Sequence, residues 1–489
     1  MEYEARPGLG DDITLPPRSG VPFSFTVTIT GAGTKERPAR TFKITGLDPK
    51  ADVIITREYR LPDREHNSYL DLFANLARDF GARFPKNRRP LAEPTFRAEY
   101  KVLLTENLAP GMLYGYGDPA VLRVEERAAA RYYLVVTSND APNSFPIIRS
   151  RDLESWEFVG YVFPGGKKPE WAADGEYISD YWAPEMHKVG GEFRVYFGAR
   201  EKNTHVLSIG MAKSSRPTGQ FIAEKRPILS DNTIDPHVFV DDGGTAFLFW
   251  KKDNNDIWPA RLTNLLYEHP EFIDELLTEK QDRITASLIE TFWPWTRTLE
   301  PMERFFVQQI LIETVTLTFS AFYDRLVKLT DRQSDPGIKE EVRAVLQVMR
   351  TPVYAQKLST DGSSLVDEPT RIIENDQAWE AHLIEGIWLT KHGGRYYLFY
   401  AGNDFSTAKY GIGVAVGDSP LGPYRKMAEP LLKSTKEWSG PGHPSVALGL
   451  NGEPLLFFHA FFPGRMGYKE FRALLAARID FKADHVRLK

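Results

Sequence analysis

Three carboxylates, a tryptophan and a histidine occupy matching places in a repeat of this 489-residue chain. Five aromatic-aliphatic segments carry the repeat: Tyr132–Thr137, Phe193–Ala199, Ala246–Trp250, Tyr396–Gly402 and Pro454–His459. Four of them follow a hairpin signal, Gly190-Gly191, Gly243-Gly244, Gly393-Gly394 or Asn451-Gly452. Superposing the segments on those turns, with a longer hairpin over Glu125–Arg131, aligns Asp118, Trp182, Asp235, Glu385 and His443. A purely structural repeat would place apolar or small residues there, because clustered carboxylates repel, desolvate badly and raise one another's pKa. Brought to one spot, three acids can bind a cation or divide into acid and base for glycoside hydrolysis. Nearby aromatics, Trp171, Tyr181, Trp182, Trp250 and Trp388, favour the second chemistry, since sugars stack their C–H faces on such rings.

The repeat also specifies the elements that must position these residues. Gly210–Phe221 follows the Phe193 segment, and Gly413–Tyr424 the Tyr396 segment, at the same offset of 17 residues, so two strands and a Pro-x-Gly turn recur as a unit. A β-sandwich does not predict that equal offset. Segment starts lie 53 to 61 residues apart except between 246 and 396, and five such units fit a five-bladed β-propeller. In that fold the first strand of each blade lines the central channel, which brings the five aligned residues to one end of it. The over-long interval contains Glu271–Leu277, Met302–Leu311 and Ile338–Leu346, which show helical apolar spacing. The expected fold is therefore mainly β, a five-bladed propeller with an inserted α-helical subdomain and a small N-terminal β-rich region. The division reads as 1–105 accessory region, 106–264 blades one to three, 265–350 helical insert between blades three and four, and 351–489 blades four and five with ring closure. Within 1–105, strands are expected at 23–30, 40–45 and 51–56, a helix at Tyr69–Ala77 and a Pro/Arg-rich linker at Phe84–Pro94.

The motifs around these residues are Gly117-Asp118-Pro119-Ala120-Val121 with Ser150-Arg151-Asp152-Leu153-Glu154-Ser155-Trp156, Tyr181-Trp182-Ala183-Pro184-Glu185, Ile234-Asp235-Pro236-His237-Val238-Phe239 and Ile384-Glu385-Gly386-Ile387. Across 112–264 and 352–480 the chain resembles glycoside hydrolase family 43, five-bladed propeller enzymes that act with inversion on arabinose- and xylose-containing glycans. The resemblance implies Asp118 as general base, Glu385 as general acid, and Asp235 as a third carboxylate that orients the acid and raises its pKa. An inverting pair needs its carboxyls roughly 6.5–9.5 Å apart to admit a water. Trp182, Trp388, Trp250, His443 and Arg465 are expected to bind substrate, Arg465 reaching the channel from the last blade. Gly440-Pro441-Gly442-His443 resembles a motif whose histidine faces the channel. There the resemblance admits, without requiring, a calcium held through water near His443. Ile387 and Pro444 depart from the family, which often has Pro or Ala, and Asn, at those places.

Composition bounds the function. Hydrophobic residues make up 42% and charged residues 26%, and 61 Lys+Arg against 66 Asp+Glu gives a net charge of −5, so no basic field invites nucleic acid. Cysteine is absent, which excludes disulfides, thiolate metal sites and cysteine nucleophiles. Met1–Arg6 lacks a signal-peptide pattern and no 18-residue apolar run suggests a membrane span, so a cytoplasmic protein is expected unless a leader was removed. The expectation is an inverting, exo-acting glycosidase, an α-L-arabinofuranosidase or β-xylosidase, with an oligosaccharide or glycan as its partner and no required cofactor. The alternatives are a carbohydrate-binding propeller without turnover, and a related invertase-like or phosphorylase-like enzyme. An invertase would show Trp-Met-Asn before its Asp-Pro, where this chain has Tyr114-Gly115-Tyr116-Gly117.

Overall fold

In a computed structural model of the chain, the described residues form six four- or five-stranded antiparallel sheets, one near the N-terminus and five around a ring. The described residues are 94–489 except 126–129, 176–177 and 300, together with Phe73 and the backbone of four strands near the N-terminus. By contact the chain forms two compact units, residues 93–253 with 350–489, and residues 1–92 with 254–349.

The first unit is the propeller. Its inner strands follow Asp118 directly in blade one (Ala120–Glu125) and span Trp182–Val189, Thr233–Val240, Ile384–His392 and Ser439–Leu448 in the others. Each neighbours the next around the ring, and the fifth neighbours the first. The five aromatic-aliphatic segments are the second strands. Ring closure is made by backbone pairing. Lys101–Leu104, from the start of the unit, pairs with Arg472–Phe481 of blade five, whose far end also pairs with the C-terminal Val486–Leu488. Residues 101–104 thus belong to the propeller and not to the accessory region.

Every inner strand is broken at the same level by one residue at positive φ: Asp118, Ala183, Asp235, Gly386 and His443, between 45° and 60°. The next residue is Pro119, Pro184, Pro236 and Pro444 in four blades and Ile387 in the other. A proline lacks the N–H that a ladder residue would donate, so it fits the gap in pairing that the register shifts in blades two to five record.

The helical insert corrects two expectations. It begins at Ile257, not 265, and it interrupts blade three between Ala246–Lys252 and Val353–Leu358 rather than separating blades three and four. The boundary moves because Ile257–Glu268 buries Trp258, Leu262, Leu265 and Leu266 on one helical stripe. Helices at Lys280–Thr291, Pro301–Thr316, Phe319–Arg332 and Pro336–Val348 follow, with two short ones. The last is started by Asp335, whose carboxylate accepts the Gly337 and Ile338 amides (2.7 and 3.1 Å), with Pro336 in the first turn. Near the N-terminus, Asp12–Leu15, Phe25–Thr30, Arg40–Leu47 and Ile54–Leu61 form one antiparallel meander. Phe73 is helical and buried edge-on against Phe292 at 5.1 Å, and the rest of the helix expected at Tyr69–Ala77 lies outside the described residues, as does nearly all of the linker expected at Phe84–Pro94.

The closing interface holds an apolar cluster in which Phe457 and Leu474 of blade five meet Val121, Tyr132 and Leu134 of blade one. Phe457→Ala is expected to cost about 3–5 kcal/mol, read as a lowered urea midpoint. Ile222→Ala, at a site 66% exposed, should stay within about 0.5 kcal/mol. Equal effects would mean that the interface does not carry the ring.

Candidate active site

The positive-φ residues and their predecessors form two tiers at the channel mouth. One tier holds Asp118, Ala183, Asp235, Gly386 and His443. The residues just before them are Gly117, Trp182, Ile234, Glu385 and Gly442. Trp182 and Glu385 therefore stand one step before the level of Asp118, Asp235 and His443, which corrects the one-level alignment expected from sequence. The cause is hairpin length: blades two and four turn in two residues (190–191 and 393–394), blades three and five in five (241–245 and 449–453).

Asp118 is held as an anion. Arg472 Nη1 donates to Oδ1 at 2.8 Å, Thr137 Oγ1 donates to Oδ2, and His443 Nδ1 lies 3.3 Å from Oδ1. Its own amide donates to Nδ1 of the buried, neutral His459 at 3.1 Å. Burial favours the protonated acid, but Arg472, with His443 beside it, outweighs burial and holds the carboxyl well below the usual range. Arg472 can approach because Gly117 has no side chain, and a Cβ there would fall 1.9 Å from the guanidinium carbon.

Asp235 and Glu385 are in the opposite state. Burial, partly offset by Lys251, pushes Asp235 up to about 7, with Asp118 adding to the rise. Glu385 is likewise pushed up to about 7 by burial, against Lys251 and with help from Asp235. Asp235 Oδ2 accepts the Gly386 amide at 2.7 Å, which fixes the backbone next to Glu385. Glu385 Oε1 accepts from the Tyr410 hydroxyl at 2.7 Å, and Lys251 Nζ lies 3.3 Å from Oε2. The Tyr410 ring fills the space over Gly442, and its hydroxyl feels all three acids.

The other expected residues divide. His443 joins the acids, buried against Gly386, whose added Cβ would fall 2.9 Å from the His443 Cα. Trp182 is half-buried at the upper tier and donates its indole N–H to Asn139 Oδ1 at 3.0 Å. Trp388 lies beyond the acids, its ring 4.8 Å from that of His237 and 6.4 Å from that of His187. One expectation is corrected. Trp250 is a core residue, stacked on Tyr354 at 5.9 Å among Tyr196, Met211 and Val238, because it faces blade two while its neighbour Lys251 faces blade four. Arg465 lies exposed in the turn after Phe461, and the arginine that reaches Asp118 from blade five is Arg472, carried on a strand.

Glu185, His187 and His237 offer three ligand atoms close enough to hold an ion. Their hydrogen bonds assign them differently. His237 Nε2 accepts the Leu389 amide at 2.9 Å, so the one proton of this neutral ring sits on Nδ1 and goes to Glu185 Oε2 at 2.8 Å. A metal would need that same Nδ1 lone pair. Calcium takes roughly six to eight oxygen ligands; with both Asp118 oxygens accepting from Arg472 and Thr137, a calcium near His443 would draw those oxygens from water.

Arg472, His459, Thr137, Lys251 and Tyr410 escaped the sequence reading. Three of them carry a shared signal: Thr137, Lys251 and His459 stand on the second strands opposite Gly117, Ile234 and Gly442, the predecessors of the three positive-φ polar residues. Each is a polar residue at or near the end of a largely apolar strand.

Comparison with known proteins agrees with this geometry. The sequence model of Glycosyl hydrolases family 43 matches residues 111–288 and 344–486. A Xylosidase/arabinosidase 43A of Humicola insolens is 28% identical over 261 residues, 53% of this chain but only 61% of that protein, so less than two thirds of its length is spanned. A Xylosidase/arabinosidase of Bacteroides ovatus is 23% identical over 304 residues, 62% of this chain and 71% of the relative. Among solved structures, a thermostable family-43 glycoside hydrolase superposes with a TM-score of 0.52 at 24% identity, covering 78% of this chain and 94% of the other. An endo-1,4-beta-xylanase from Bacteroides thetaiotaomicron gives 0.50 at 20% identity, covering 77% and 95%. These two likenesses bear on the fold. With the family match spanning most of the propeller and both carboxylate tiers, the chain belongs to glycosyl hydrolase family 43.

Proposed function

We propose that this protein is an inverting glycoside hydrolase that releases arabinose or xylose from glycans or oligosaccharides, as an α-L-arabinofuranosidase or β-xylosidase. One observation carries the reading: two carboxyls at one channel mouth are driven to opposite protonation states, Asp118 ionised by Arg472 and Glu385 protonated up to about 7. Titratable groups whose surroundings push them apart supply the acid and base assignments. Glu385 gives its proton to the leaving glycosidic oxygen as the C–O bond breaks. Asp118 takes a proton from the water that attacks the opposite face of the sugar, so the released hemiacetal carries the inverted anomeric configuration. Asp235 shares the buried pocket, so that ionising both it and Glu385 is unfavourable, and it holds the Gly386 backbone in place. The pentose assignment is supported by the relatives from Humicola insolens and Bacteroides ovatus, both named as xylosidase/arabinosidase.

Glu385→Gln is expected to lower kcat/KM on unactivated pentosides by about 10²–10⁴-fold, and undiminished turnover would remove Glu385 from the acid role. NMR of the first product formed should show the inverted anomer, with a retained one contradicting the mechanism. For pH the signs follow from the two carboxyls. Asp118 stays ionised on the acid side, so kcat/KM should hold level there, and it should fall above about 7 as Glu385 loses its proton. Arg472→Met removes the largest influence that opposes burial and raises Asp118, so a falling acid limb should appear in its pH profile that the unmodified protein lacks.

A further inference from the structure

Lys251 is a lysine with no exposed surface, near the end of the otherwise apolar strand Ala246–Lys252. An isolated ammonium in such a place would shed its proton. Here Nζ lies between Asp253 Oδ1 at 3.2 Å and Glu385 Oε2 at 3.3 Å. Burial works against its charge, but Asp253 beside it, joined by Glu385 and Asp235 when they ionise, keeps it an ammonium. The remaining titratable group facing it is His382, which burial, against the pull of Asp404, pushes down to about 4 and leaves neutral.

This geometry distinguishes the two oxygens of Glu385. Oε2 faces a fixed cation and is the poorer place for a proton, so the proton belongs on Oε1, beside the Tyr410 hydroxyl. Once that proton has gone to a leaving group, the carboxylate left behind has the ammonium on Oε2 and the Tyr410 O–H on Oε1. The pocket is built for the conjugate base as much as for the acid.

We infer that Lys251, clamped by Asp253, is a positioning residue whose buried charge sets the pH range over which Glu385 can give up its proton. The inference rests on the reading of Glu385 as the general acid. Lys251 pulls the proton affinity of Glu385 down from where burial and Asp235 would leave it, and Asp253 partly cancels that pull. Removing either charge must therefore move Glu385 in opposite directions, which loss of a merely structural ion pair would not do.

The test is a 13C titration of glutamate carboxyls in the labelled full-length chain, with the Glu385 signal identified by its loss in Glu385→Gln. Lys251→Met should raise the Glu385 midpoint by about one pH unit or more, roughly tenfold in proton affinity. Asp253→Asn should lower it, and Lys251→Arg should leave it near the unmodified value. An unmoved midpoint in folded Lys251→Met, or shifts of the same sign in the Met and Asn variants, would overturn the inference. Should Lys251→Met not fold, Asp253→Asn decides alone: a downward shift supports the inference and no shift overturns it. Turnover of unactivated xylo- and arabino-oligosaccharides, whose leaving oxygens need a proton, by Glu385→Gln separates the two claims, because undiminished release would sink the acid assignment whatever the titration shows.

Discussion

The ion pair between Arg472 and Asp118 lies where the ring of blades closes, and both the architecture and the chemistry run through it. Arg472 is carried by the third strand of blade five and Asp118 leads into the inner strand of blade one. Burying two charges carries a desolvation penalty that their attraction offsets only with good geometry and further hydrogen bonds. Thr137 supplies one of those bonds and passes the contact on by accepting the Ala183 amide of blade two at 2.7 Å. The same ion pair keeps one carboxylate ionised in a pocket that holds two others protonated near neutrality. The ring could be latched by apolar residues alone, and the Phe457 cluster already does much of that. The charge at the closure point is explained by the state it imposes on Asp118.

The second constraint is the repeated break in the inner strands. A left-handed residue costs little for glycine but of order 1–3 kcal/mol for most others, and here Asp118, Ala183, Asp235 and His443 adopt it with only Gly386 to spare. The break re-aims one side chain per blade and opens a place for groups from the neighbouring blade. Asp235 reaches the Gly386 amide, His443 reaches Asp118, and deeper down Glu185, His237 and the Leu389 amide link blades two, three and four. Strain, interblade bonding and the site occupy one layer of the molecule.

Much of this was legible in the sequence because a propeller repeats. The five second strands announced themselves by composition, and superposing them was enough to pick out Asp118, Asp235, Glu385 and His443. Turns carry less of this signal. Gly-Gly signals do not reveal that the hairpins of blades three and five are longer than those of two and four, and this hid the one-step offset of Glu385 and Trp182. Trp250 and Lys251 are adjacent, and only knowledge of which sheet face meets which blade says that the lysine reaches the site and the tryptophan the core. Arg465 stands in a Pro-Gly turn, where an arginine looks free to reach a ligand, whereas Arg472, at the head of an apolar strand, carries no such mark in the sequence. The helical insert is visible as a change of period, but its first helix follows the strand after only a few residues and so runs on from the blade in sequence.

The central claim is that one site holds one carboxyl ionised and another protonated. Neutron diffraction from a deuterium-exchanged crystal at about pH 6 tests it directly, by showing where the deuterons are. The account predicts a deuteron on the Glu385 carboxyl and none on Asp118, with the Arg472 guanidinium donating to Oδ1. A deuteron on Asp118, or a bare Glu385 carboxylate, would contradict it.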